Sequence, residues 1–335
     1  MEQEILTSCI GQASNACMVE TIPENGEPSR DQPGVPCGLL PGDPGLPAFE
    51  LVQRRPSPIP VLIAVPHAGR SYPADLLAAM RNPLDACIRL EDRFADLVAR
   101  QVARQTGAAL LVAHAPRAMI DLNRAPEDMD WDMVAGPSPR GVSRFAAGRR
   151  ARSGLGLVPR RLPALGELWR ERMSPDTLEA RLELVHRPYH ATLGQVLESL
   201  RDRWGSAVLV DLHSMPPLGP KTGTDPSADF VVGDRYGSSC AAHLSAAAID
   251  YLGQAGWRAA HNRPYAGGYV LDRHSAPQRG IHAVQLEMCR ATYLDAALRQ
   301  PGDGLDQVVD AVAGLIRHLA GELSTGWKSL PQAAE

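Results

Sequence analysis

Nine residues limit what this chain can fold into more than any other stretch: Ala207-Val-Leu-Val-Asp-Leu-His-Ser-Met215, followed at once by Pro216-Pro217. Four apolar residues run into an acid and a histidine, and the paired prolines stop any helix from following. A continuous apolar run of this kind reads as a strand buried on both faces, as in a largely parallel sheet. Its polar residues stand at the carboxyl end, where open α/β sheets place their ligands. Pro60-Val-Leu-Ile-Ala-Val-Pro-His67-Ala-Gly69 has the same grammar, and Ile281-His-Ala-Val-Gln-Leu-Glu287-Met-Cys-Arg290 ends the same way. His67, His213 and Glu287 therefore close three predicted strands.

With 335 residues, 44% of them hydrophobic, the chain holds enough apolar material for a substantial core in one large domain or two ordinary ones. A net charge of −4, with basic residues spread along the chain, argues against nucleic acid and for a small-molecule partner. Lys221 and Lys328 are the only lysines, so guanidinium forks, which suit carboxylates, carry nearly all the positive charge. The six cysteines (Cys9, Cys17, Cys37, Cys87, Cys240, Cys289) form no CxxC pair and no dense framework, which predicts reduced thiols and a cytoplasmic protein. Neither a basic start with an apolar core nor an apolar run of about 18 residues is present, so no secretion and no membrane span is expected. The oligomeric state is left open.

Residues 1–45, rich in Gly, Pro, Ser and Asn, are expected to form a disordered or loosely docked arm ahead of a single α/β domain over 46–328. Strands are predicted at 49–53, 59–65, 108–113, 117–124, 207–215 and 230–234 and over the run to Glu287. Helices are predicted at 73–80, 90–105, 175–204, 239–254 and 305–323. Glu91 and Asp92 are placed in the first turn of the second helix, Pro188 is expected to kink or break the third, and Ser238 or Ser239 to cap the fourth. Residues 125–162 lack periodicity and predict a long loop of the functional or mobile kind. Alternating strands and helices predict a mixed, largely parallel sheet with helices on both faces.

A catalytic zinc takes about three protein ligands and keeps one position open. His67 and His213 are the candidate imidazoles, and Asp92, preferred over Glu91, is the candidate acid. Asp211, two residues before His213 on the same strand face, is placed either as the acid that orients an imidazole or as a buried structural acid. Glu287 is the candidate general base, and a salt bridge to Arg290 is its alternative. His186 and His190 stand four apart, but Pro188 between them argues against a helical zinc motif; His190 is kept as a hydrogen-bond donor to the site. Arg117, Arg124, Arg263 and Arg290 lie in or beside these polar clusters, placed to hold carboxylates, and Gly267-Gly268 permits close backbone approach to a ligand.

Taken in order, Pro66-His67-Ala-Gly69 with Tyr72-Pro73, Glu91-Asp92, Ile120-Asp121-Leu-Asn123-Arg124, Pro188-Tyr189-His190, Asp211-Leu-His213-Ser214, Gly267-Gly268-Tyr269 and Gln285-Leu-Glu287 resemble the N-formylglutamate amidohydrolase family over roughly residues 59–295. The resemblance implies a three-layer, phosphorylase/hydrolase-like fold similar to zinc carboxypeptidases. It further implies Zn2+ or another divalent metal, and release of formate and glutamate from N-formyl-L-glutamate in cytoplasmic histidine breakdown. Carried over by motif, His67, Asp92 and His213 bind the metal and Glu287 is the base. The catalytic set also includes His190 and Arg124, while Arg117, Asn123, Arg263, Gly268, Tyr269 and Arg290 face the substrate. Two rivals remain: a carboxypeptidase-like peptidase or deacylase with another N-acyl substrate, and a non-catalytic dicarboxylate-binding homologue.

Overall fold

Strand β5 (Ala207–Met215) is buried along all nine residues and lies inside an eight-stranded sheet. The other strands of that sheet, in the computed structural model, are β1 (Glu20–Thr21), β2 (Phe49–Gln53), β3 (Val61–Val65), β4 (Ala109–Ala113), β6 (Phe230–Gly233), β7 (Ala259–His261) and β8 (Ile281–Cys289). The structure describes residues 20–21, 38–136, 149–221 and 227–328. The spatial order is β1-β2-β4-β3-β5-β8-β6-β7. A parallel run β4-β3-β5-β8 forms the middle, and β2 and β6 join it antiparallel on either side. The uniformly apolar sequences of β3, β4 and β5 are those of strands covered on both faces.

The two faces are covered by different helices. Val61, Ile63, Val65, Val208, Val210, Leu212, Val284 and Leu286 pack in one cluster with α2 (Ala95–Thr106), α4 (Ala242–Gln254) and α6 (Leu305–Lys328). Leu62, Ala64, Leu209 and Ala283 pack on the other face with Tyr189, Leu193, Val196, Leu197 and Leu200 of α3 (Arg187–Trp204). That i, i+4, i+7, i+8, i+11 spacing is the apolar stripe of one helix face, and each such side chain contributes about 1.5–3 kcal/mol by leaving water. Side chains alternate along a strand, so Asp211 and His213 follow Leu209 onto the α3 side of β5, and Gln285 and Glu287 follow Ala283 on β8. The parallel register then sets Gln285 opposite Asp211 and Glu287 opposite His213.

Four local expectations change. Residues 117–124 form turns rather than a strand, with Met119 N donating to Pro116 O and Arg124 N to Asp121 O. Glu91 and Asp92 do not open α2; they follow α1 (Pro83–Leu90), and Phe94 at φ 58° turns the chain before α2 begins. Pro188 does not break the third helix. The chain stays helical from Pro175 to Trp204, and a π-helical turn at Leu182–His186 directly before the proline accommodates its missing N–H. Neither Ser238 nor Ser239 caps α4, because their hydroxyls donate to Arg235 O and Ala283 O.

Most of the 1–45 arm and residues 137–148 of the 125–162 stretch lie outside the described residues. Within the described part of the arm, Leu39–Leu40 pairs with Asp43–Pro47 and Leu40 is buried. The rest of the 125–162 stretch holds short 3-10 turns at Pro126–Asp128 and Trp131–Met133 and a helical turn at Arg149–Arg152. Among the described residues no helix is long and apolar enough to cross a membrane.

Candidate active site

His67 follows β3 by two residues, and its carbonyl accepts the backbone N–H of Asp92, which ties the loop after α1 to the end of the central strand. The next turn needs Gly69: a Cβ there would come 2.1 Å from Ala115 O. With His213 at the end of β5, the two imidazoles and the Asp92 carboxylate converge, all buried, with one ligand atom from each lying within 4.8 Å of the others. The Asp92 Oδ2 atom is 3.0 Å from His213 Nδ1 and 3.6 Å from His67 Nδ1. Behind each ring stands a second carboxylate: His67 Nε2 donates to Asp121 Oδ1 at 2.7 Å, and His213 Nε2 to Asp211 Oδ2 at 2.9 Å. Giving both Nε2 protons to carboxylates leaves both Nδ1 lone pairs aimed at the centre. Two imidazoles and one acid with an oriented outer shell form a donor set suited to a divalent metal.

Charges around the centre support one another. Burial alone would raise the Asp92 carboxyl, but the His213 and His67 rings beside it hold it well below the usual range. Burial would likewise lower His213, yet Asp211 and Asp92 push it well above its ordinary value. Asp121 is buried and still held well below the usual range by Arg117 and His67. Glu287, on the strand beside His213, goes the other way. Burial raises it, the nearby His213 charge opposes, and Asp92 and Asp211 add repulsion, leaving it at about 7. Gln285 Nε2 donates to its Oε1 at 2.8 Å and fixes the side chain's direction. A carboxyl poised near neutrality can both accept and release a proton.

A family profile for N-formylglutamate amidohydrolase matches residues 59–294. The chain belongs to this family. An N-formylglutamate deformylase from Pseudomonas putida is 32% identical over 244 residues, covering 71% of this chain and 82% of that one. Another, from Pseudomonas aeruginosa, is 28% identical over 264 residues, covering 78% and 91%. The crystal structure of an N-formylglutamate amidohydrolase from Ralstonia eutropha superposes with a TM-score of 0.75 at 28% identity, covering 84% of this chain and all of that one. An Agrobacterium tumefaciens protein of 18% identity shares the fold, with a TM-score of 0.59 and coverage of 84% and 94%.

In this member of the N-formylglutamate amidohydrolase family, the remaining predicted residues scatter around the centre in different ways. Arg290 donates to Ser214 Oγ, to Glu91 O and to Asp92 Oδ1, so it braces the cluster. Arg117 Nε pairs with Asp121 at 2.9 Å. Arg124 reaches the carbonyls of Asn123 and Leu155. Asn123 is a hub: its amide donates to Asp211 and Gln285, and its oxygen accepts the Val270 N–H from α5 (Tyr269–His274). Gly268 is where α5 crosses this hub, since a Cβ there would come 2.6 Å from Asn123 Oδ1. Tyr269 lies against the rings of His186 and His190. His190 Nδ1 pairs with His274 Nε2 at 2.9 Å, with the His186 ring 4.4 Å away. Arg263 is exposed beyond β7, with no hydrogen bond to the cluster among the described residues.

Glu91 is separated from its neighbour Asp92 by direction: it is fully buried and its carboxylate pairs with Arg93 at 2.7 Å. Asp121, Ser214 and Gln285 were not assigned roles from sequence. Asp121 had a readable signal, since it stands four residues after Arg117 within a motif that matched the family.

Proposed function

We propose that this protein hydrolyses the formyl amide of N-formyl-L-glutamate, releasing formate and L-glutamate, with a zinc ion held by His67, Asp92 and His213. The observation that carries the reading is the buried His–Asp–His cluster with Glu287 in register with His213 on the adjoining strand, in a chain 32% identical to an N-formylglutamate deformylase. Two imidazoles and one carboxylate favour zinc over harder cations, which take mostly oxygen. A divalent metal there supplies a Lewis acid that polarises the acyl carbonyl and makes water acidic enough to deprotonate near pH 7.

The chain's own groups do the rest. Glu287 takes a proton from the attacking water and delivers it to the nitrogen of the leaving glutamate. Asp121 and Asp211 keep both Nδ1 lone pairs on the centre. Arg117, through the terminal nitrogens that Asp121 does not use, takes the substrate's carboxylate or the developing oxyanion. The setting is cytoplasmic histidine breakdown, which the family resemblance implies and which suits the buried thiols of Cys87, Cys240 and Cys289, none of them in a disulfide among the described residues.

The deciding experiment is metal content of the purified protein together with formate release from N-formyl-L-glutamate before and after chelation. About one zinc per chain with chelator-sensitive formate release supports the reading. Metal without formate release would remove the substrate, and activity that survives complete removal of metal would remove the mechanism.

A further inference from the structure

Arg181 ends the helical turn Pro175–Arg181 and is buried, 7% exposed. Arginines are rarely buried unless a carboxylate accompanies them. Here one guanidinium nitrogen donates to the carbonyl of Met119 at 2.9 Å, and the plane sits 5.6 Å from the ring of Trp169. Among the described residues no carboxylate lies within ion-pair distance of it. Burial pulls its pKa down to about 10, with only a weaker field from Asp75 opposing.

Arg181 is among the residues lining a cavity of about 640 Å³. Met119, Trp169 and Met173 give that cavity an apolar side. Among its lining residues Arg170 and Arg172 balance Asp75 and Glu171 in charge, so the charge in excess is that of Arg181. None of the cavity's lining residues is among the metal-binding cluster or its orienting acids, and the turn of residues 116–121 lies between the two.

We propose that this cavity is a second binding site, for a small organic carboxylate, with Arg181 as its anchor. A carboxylate would complete the guanidinium's bonding with two parallel charge-assisted hydrogen bonds. The aliphatic part of such a ligand would lie on Trp169 and the two methionines. The volume admits a molecule of amino-acid size. An inorganic oxyanion would satisfy the charge and leave the apolar side uncovered, so the pocket favours the organic acid.

The test is a titration of the full-length protein with glutarate at constant ionic strength, read by tryptophan fluorescence and calorimetry, with sodium chloride and inorganic phosphate as controls. Two variants accompany it: Arg181→Met, which removes the anchor, and Ala180→Phe, which fills the cavity and keeps the anchor. Saturable binding to the wild type, weakened about tenfold or more in both variants, supports the proposal. Binding that chloride or phosphate reproduces, or that both variants retain, overturns it; so does a wild type without saturable binding. If Arg181→Met fails to fold, Ala180→Phe decides alone. The readout is binding and needs no turnover, so it stands or falls independently of the catalytic reading.

Discussion

Asp121 Oδ1 lies 2.7 Å from His67 Nε2, and this contact sets which nitrogen of the ring is left to face Asp92. Asp211 does the same for His213. The two carboxylates arrive differently: Asp211 rides on β5, whereas Asp121 sits in a turn and is steadied by Arg117. The orienting shell therefore has one rigid member and one that depends on a loop.

Replacing His67 or His213 with alanine is expected to bring bound metal from about one per chain to near none and to abolish turnover. Elemental analysis and formate release measured on the same preparation check it. A variant that keeps its full metal would show that the histidine is not a ligand.

Asp121→Asn is expected to keep the fold and weaken metal affinity about 10–100-fold, because the amide no longer fixes the imidazole's proton. Competition with a chromophoric chelator measures this directly. An unchanged affinity would make the contact purely structural.

Glu287→Gln should retain stoichiometric metal and lose about 10²–10⁴ in kcat, the scale of a missing general base. Elemental analysis beside single-turnover formate release separates the two effects. Loss of metal in this variant would turn the base into a ligand.

Gly268→Ala places a methyl 2.6 Å from Asn123 Oδ1 and must displace the amide that bridges Asp211 and Gln285. A stability loss of about 1–3 kcal/mol is expected, from strain and from the polar groups it unpairs. Urea unfolding measures it, and a neutral result would mean that the hub shifts without cost.

Glu50, on β2, has its carboxyl pulled down to about 2: burial opposes ionisation, but His114 and Arg100 outweigh it. A carboxyl lowered in the folded state adds stability above its unfolded value of about 4.3, and that contribution fades as pH falls through about 2. The wild-type advantage over Glu50→Gln is thus expected to be full at pH 6 and to shrink between about pH 4 and pH 2. Denaturant titrations across that range provide the comparison. A constant difference would place the effect in packing rather than charge.

What could be read from the sequence was whatever a strand end expresses locally. His67, His213 and Glu287 each terminate an apolar run, and the run itself tells which edge of the sheet they occupy. That Asp92 and not Glu91 joins the two histidines can also be read, although not from a helix start, which the pair does not occupy. Phe94 in a left-handed conformation detaches both acids from α2, and the packing of Arg93 then separates their directions. The orienting role of Asp121 was harder to read, since it depends on a turn whose partner, Leu157, is distant in sequence. The arginines pose a related problem. A guanidinium near an acid reads as a substrate clamp until the carboxylates and carbonyls already consuming it are known, as with Arg290 and Arg124. Pro188 illustrates a backbone limit, because the π-turn before it is a tertiary accommodation that no propensity encodes.

The rung that pairs Glu287 with His213 has a consequence for how this sequence can vary. The two side chains are spaced by the hydrogen-bond ladder of two parallel strands, not by a loop that relaxes independently. A one-residue insertion or deletion anywhere within β5 or β8 would turn the downstream side chains through the sheet and deliver one partner to the wrong layer. Length changes should therefore be purged from these two strands and accumulate in the connections, so natural gaps and engineered tags alike belong outside residues 207–215 and 281–289.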